Sequence, residues 1–255
     1  MKLPRRLRYG DEATLVEHLD ELRSRIIVVL VSLGLATAVA FAFHTHILDA
    51  LNRLLPANHR HDITTFNVTE PFVTSVAVSV YAALIVTLPI ALWQLWAFLA
   101  PAVVEHVQRA IVGLIVFAAA LAASGLAFGY FVVLPAALHY LTNYDSHQFH
   151  ILIRAQSYYS FTATLLLAMV AIFEVPVAVL GLVRVGVLTS RQLRRNRRWG
   201  YFIVAILALG LPGPDLVTTS LELLPMWAIY EGSIWLAVLV ERRVALAEAE
   251  AAVGT

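Results

Sequence analysis

The chain contains no cysteine, which removes disulfides, thiolate metal sites and cysteine nucleophiles from consideration together. Charge is scarce too: Asp, Glu, Lys and Arg make up 14 % of the 255 residues, where a soluble domain carries about 25 %. An HExxH or paired-histidine spacing, a glycine-rich phosphate loop and an internal repeat of the kind that marks many transporters are all absent. Ala122-Ala123-Ser124-Gly125 lacks the first glycine of a serine-nucleophile motif, and His44, His46, His59 and His61 sit near a loop, where solvated histidines are the rule. No catalytic residue, metal, cofactor or nucleic-acid partner is therefore expected. What abounds is apolar residues, 60 % of the chain. The expectation is an all-α integral membrane protein, residues 1–255 forming one membrane domain with no room for a sizeable soluble one.

Uncharged runs locate the spans, at about 20 residues for a bilayer core near 30 Å. They are residues 26–43, 71–104, 110–138, 158–183, 199–211 and 223–240. The second is too long for one straight helix, with Pro89 as a bend and Pro101 as a stop. Pro135 falls near the end of the third. The fifth run is short, so the last pair reads as a stubby hairpin beside which the bilayer thins. The spans thus occupy 26–241, and 242–255 is a tail whose Ala- and Glu-rich run after Arg243 reads as a frayed helix.

An even number of spans puts both ends on one side. Fifteen of the 18 Lys and Arg residues fall on that side, and only Arg53, Arg60 and Arg154 fall on the other. The positive-inside bias makes both termini cytoplasmic. Residues 1–25 are polar, and Thr14-Leu15-Val16-Glu17 has the form of a capping box. Leu15, Leu19, Leu22 and Ile26 recur at helical spacing. This predicts a short amphipathic helix on the membrane surface leading into the first span; acids crowd it too closely for a cleavable signal peptide.

Glu174 is the one acid inside the fourth run. A carboxylate in hydrocarbon is costly, so such a residue faces protein or a water-filled cavity. Pro176 removes a backbone donor two residues later and favours a kink. One reading of this pair is a secondary transporter with Glu174 as its proton carrier. Another is a packing residue hydrogen-bonded to its neighbours.

Several local patterns resemble the TatC family of the twin-arginine protein translocase. Glu17-His18-Leu19-Asp20-Glu21-Leu22-Arg23-Ser24-Arg25 is similar to its HLxELRxR element, and Gln94-Leu95-Trp96-Ala97-Phe98-Leu99-Ala100-Pro101 to its QxWxFxxP element. Phe128-Gly129-Tyr130-Phe131 with Pro135, Phe173-Glu174-Val175-Pro176, Pro214-Asp215, Pro225 and Tyr230-Glu231 follow in order, and Glu70-Pro71-Phe72 resembles an outer-loop element. The resemblance implies a cup-like arrangement of six helices in the cytoplasmic membrane. It implies a receptor for twin-arginine signal peptides that exports folded proteins on the proton-motive force, in an oligomeric complex with TatA- and TatB-family partners. Glu21 would receive a signal-peptide arginine, with Glu17 and Arg23 beside it. The family's second recognition glutamate is missing, because its position reads Val107-Gln108-Arg109; Glu105 is the nearest acid.

Overall fold

The computed structural model describes residues 15–60, 63–99, 108–144, 152–184, 187–210 and 216–253. The first element, α1 (Leu15–Ala42), is one uninterrupted helix. The expected surface segment and first span are continuous in it, since neither Gly nor Pro occurs between Leu15 and Leu33 to turn the chain. Thr14 and the side chain of Glu17, the two halves of the expected capping box, lie outside the described residues.

Beyond α1 come α2 (His44–Asn52), a 3-10 turn at Ala57–His59, and strand β1 (Ile63–Thr64). Helix α3 (Glu70–Leu99) carries Pro71 in its first turn, where a missing N–H costs nothing, and Pro89 inside it. Pro101, the expected stop, lies outside the described residues.

The third span is compound. Helix α4 (Gln108–Phe128) passes into a π-helical segment (Gly129–Val133) and then α5 (Leu134–Asn143). Pro135 cannot donate to the carbonyl one turn back, and the Leu134 N–H reaches back five residues to the Gly129 carbonyl instead. The wider turn absorbs the proline without ending the helix, so the span runs beyond its expected end at residue 138. Strand β2 (Ile153–Arg154) then pairs in parallel with β1, Ile63 opposite Ile153 and Thr64 opposite Arg154.

The fourth span breaks where Pro176 requires it. Helix α6 (Ala155–Phe173) ends at Glu174 (φ −81°, ψ −9°), and α7 (Val175–Arg184) restarts at once. After it come α8 (Ser190–Arg195), α9 (Arg197–Leu209) and α10 (Leu216–Val253). Of the two short helices expected at the end, α9 is short at 13 residues, but α10 extends to 38. The Ala- and Glu-rich tail is strongly helix-forming and prolongs α10 past the apolar run Thr218–Arg242.

Among the described residues five helical runs are long and apolar enough to cross a membrane, namely His18–Ala42, Glu70–Phe98, Ile115–Asn143, Ala155–Val183 and Thr218–Arg242. The short α9 corresponds to the fifth expected run and is not one of these five. The run through α6 and α7 is the most enclosed; α3 and α4 pack on α6, and α10 packs on α7. Helix α1 leans on α3 at one edge and α9 on α10 at the other, around a centre where α3, α4 and α6 pack on one another.

The main core lies toward α2, where Leu51 and Leu55 meet Val78, Leu134, Leu138, Leu165 and Met169. Elsewhere the helices approach closely through small residues. A Cβ at Gly125 would come within 2.9 Å of the Met169 carbonyl oxygen, and one at Gly181 would overlap the Trp96 indole. Trp96 is buried against Ala118 and Val177, so the ring must leave that contact to make way. Gly181→Val is expected to destabilise the protein by about 1–3 kcal/mol, the usual cost of overpacking. Thermal unfolding in detergent measures it, and a wild-type midpoint would show that the α3–α7 contact yields.

Candidate functional site

The start of α1 and the end of α3 bring together the residues of two sequence elements. Glu21 and Arg25 stand one helical turn apart on α1, with Arg25 Nε at 3.1 Å and Nη2 at 2.5 Å from Glu21 Oε1. The third nitrogen of the fork, Nη1, donates to Gln94 Oε1 of α3 at 3.2 Å. Beside them His18 stacks on Phe98 with ring centroids 4.3 Å apart. The second carboxylate oxygen of Glu21, Oε2, is buried and has no hydrogen-bond partner among the described residues. Arg23 points to solvent. The result is a half-used carboxylate, held by one arginine that is itself tethered to the next helix.

Gln94 is the residue that sequence reasoning passed over. Its place in the Gln94-Leu95-Trp96 element was visible, but its role depends on the α1–α3 contact. Glu105, the candidate second carboxylate, and Asp215 both lie outside the described residues.

The second feature is Glu174 at the α6–α7 break. It is 3 % exposed, and neither carboxylate oxygen has a hydrogen-bond partner among the described residues. The reading of a glutamate hydrogen-bonded to neighbouring helices for packing therefore has no support in the geometry. Pro176 holds the break open by withholding its N–H. Glu174 is not the only buried acid at depth: Glu222, which the sequence reading left outside the last span, lies within the apolar run of α10 and is fully buried.

On the opposite face Glu70 closes a clamp. Its Oε1 accepts from Arg154 Nε at 3.1 Å and from the Gln156 N–H at 3.2 Å. Its Oε2 accepts from the Phe66 N–H at 3.1 Å and from Arg154 Nη2 at 3.4 Å. One carboxylate thus joins the segments before α3 and before α6 beside the β1–β2 pair. Phe72, exposed next to it, meets Phe41 of α1 edge-on at 6.3 Å. Three tyrosines fix α2 below: Tyr130 and Tyr158 donate to the Ala50 and Leu51 carbonyls at 2.7 and 2.6 Å, and Tyr159 donates to Asn52 Oδ1 at 2.7 Å.

Two further carboxylates organise the last helices. Glu231 of α10 accepts from the Tyr201 hydroxyl of α9 and lies 3.5 Å from Arg197 Nη2. Ten residues on, Glu241 accepts from the Ser190 N–H at 2.7 Å and from the Ser190 hydroxyl, pinning the start of α8 to α10.

The family model described as Sec-independent protein translocase protein (TatC) matches residues 17–225. The chain belongs to the TatC family. The Bacillus subtilis translocase protein TatCd is 32 % identical over 232 residues, covering 91 % of this chain and 94 % of the relative. TatC of Escherichia coli K12 is 34 % identical over 228 residues, covering 87 % and 86 %. The crystal structure of the twin-arginine translocase receptor TatC in DDM superposes with a TM-score of 0.77 at 28 % identity, over 86 % of this chain and 99 % of that one. This TatC-family chain is thus a multi-pass membrane component of a Sec-independent protein translocase, with the six-helix fold of that receptor.

Proposed function

We propose that this TatC-family protein recognises twin-arginine signal peptides at its cytoplasmic face and passes their folded cargo to partner subunits, with no covalent chemistry of its own. The observation that carries the reading is the half-used carboxylate of Glu21. An arginine fork matches a carboxylate in two dimensions, whereas a lysine offers only a point charge. Arg25 now occupies that fork position, hinged to Gln94. An incoming arginine that moves Arg25 aside gains both oxygens while Arg25 keeps its amide partner. Glu17 and Arg23 lie on the same helix within a turn of Glu21. The proton-motive force as driving energy, TatA- and TatB-family single-span proteins as partners, the cytoplasmic membrane as location and cytoplasmic termini complete the reading. The terminal placement is supported by the fifteen inner Lys and Arg residues against three outer ones.

The competing account is that Glu21 and Arg25 form only a surface i,i+4 pair, worth about 0.2–0.5 kcal/mol. The test is precursor affinity in nanodiscs with twin-arginine and twin-lysine signal peptides. Glu21→Lys is expected to cost about 1.5–3 kcal/mol of binding, roughly 10- to 100-fold in Kd, with membrane insertion intact. Arg25→Ala should leave binding at least as tight, because it frees the carboxylate. Tight binding by Glu21→Lys, or equal losses in both variants, overturns the assignment. Glu105 is proposed as the second carboxylate: Glu105→Ala should lose affinity and Glu105→Ala with Val107→Glu should recover it. Full binding by Glu105→Ala would leave a one-carboxylate site.

A further inference from the structure

The inner end of the last hairpin gathers arginine without a free acid to match it among the described residues. Arg191, Arg194, Arg195 and Arg198 are exposed on α8 and the first turn of α9, and Arg242 is exposed on α10 beside Glu241. None of the five makes an ion pair or side-chain hydrogen bond among the described residues. The nearby carboxylates are already engaged, Glu231 by Tyr201 and Arg197, and Glu241 by Ser190. A bias in topology requires positive charge on this side; it does not require unpaired guanidinium groups drawn together from three helices.

The placement of α8 is what gives the cluster a partner. Ser190 is fixed at the level of Glu241 and Arg197 at the level of Glu231. Those two glutamates are ten residues apart on one helix, so α8, about 9 Å long at 1.5 Å per residue, and the start of α9 run along α10 from Glu241 toward Glu231. A capping box between Thr189 and Gln192 makes its start rigid. The arginines are therefore carried up the side of the protein, toward membrane depth. Directly above them Trp199, Phe202, Ile203 and Ile206, each more than half exposed, recur at helical spacing and form an apolar stripe on α9. Cationic groups below and an apolar stripe with an interfacial tryptophan above reproduce the order of a phospholipid, phosphate first and chains second.

We propose that Arg191, Arg194, Arg195, Arg198 and Arg242 form a binding surface for the phosphate headgroups of anionic lipids, whose chains lie along the Trp199–Ile206 stripe. The short α9 fits this occupant. Its 13 residues reach only about 20 Å, so the inner leaflet must dip beside it, and anionic headgroups are drawn down to the climbing arginines. An acidic protein would satisfy the charges but gives no reason for the apolar stripe above them.

The test is quenching of Trp199 in nanodiscs of neutral phosphatidylcholine holding the full chain. A minor fraction of lipid carries brominated chains, either as phosphatidylglycerol or as phosphatidylcholine. The Trp199→Phe variant supplies the contribution of the other tryptophans for subtraction. The brominated anionic lipid is expected to quench Trp199 at a local concentration at least about fivefold above the neutral one, the factor that a single arginine near an anionic surface supplies. The preference should fall as salt rises. It should vanish in the R191Q/R194Q/R195Q/R198Q variant and survive largely in the corresponding lysine variant, which keeps the charge and controls for folding. Equal quenching by the two lipids in the wild type overturns the proposal, as does an unchanged preference in the glutamine variant. Inorganic phosphate should displace the lipid no better than chloride at equal ionic strength; full displacement by phosphate would assign the cluster to a free anion.

Discussion

Glu70→Ala is expected to separate the segments before α3 and before α6. The substitution removes one acceptor group from four donor contacts: two from the Arg154 guanidinium and one each from the Phe66 and Gln156 N–H groups. Because those two N–H groups need an acceptor whatever happens to Arg154, Arg154→Ala should do less harm than Glu70→Ala. The charge-swapped pair Glu70→Arg with Arg154→Glu should fail to rescue, since it sets a cation against two backbone donors. Hydrogen exchange resolves these outcomes residue by residue. The amides of Phe66 and Gln156 should exchange at least about tenfold faster in Glu70→Ala, as expected for charge-assisted bonds. Thermal unfolding should follow the order wild type, Arg154→Ala, Glu70→Ala. Equal effects of the two single substitutions, or recovery in the swapped pair, would reduce the clamp to an ordinary surface ion pair.

This clamp marks where the sequence stops being readable. Hydropathy and proline act locally, and what they govern was legible: six apolar runs, a short fifth helix, and a break beside Pro176. Pro135 was visible as well, though not that a π turn would absorb it and carry the span on to Asn143. The Ala- and Glu-rich run after Arg243 was legible as a frayed helix, but not that it would continue α10 without a break to Val253. Glu70 could be read as a residue at a helix start but not as the partner of Arg154, 84 residues away. Arg25 was legible as the i+4 neighbour of Glu21, while its third contact, to Gln94, depends on how α1 leans on α3. Pairing across helices is written in the fold, and a single chain's sequence contains only its candidates.

Glu174→Leu is expected to make the protein more stable and less competent. The buried carboxyl group now lies at the α6–α7 break with both oxygens unpartnered among the described residues, which costs desolvation without a compensating bond. A leucine of similar volume removes that cost, and the detergent-solubilised protein should gain about 1–3 kcal/mol in unfolding free energy. Pro176 alone withholds the backbone donor, so the break itself should persist. Glu21 belongs to α1, which packs on α3 rather than on α6 or α7, so precursor affinity should be unchanged. Transport and co-purification of partner subunits should fall, because a polar group kept at an energetic loss in a membrane span is kept for what it meets during work. Glu174→Gln separates the possibilities, since it retains the polarity and hydrogen-bonding capacity but not the charge. If Gln supports transport and Leu does not, the group acts by hydrogen bonding to a partner helix; if both fail, its charge or proton is what counts. A destabilised Glu174→Leu protein, or one that transports at the wild-type rate, would return Glu174 to the role of a packing residue.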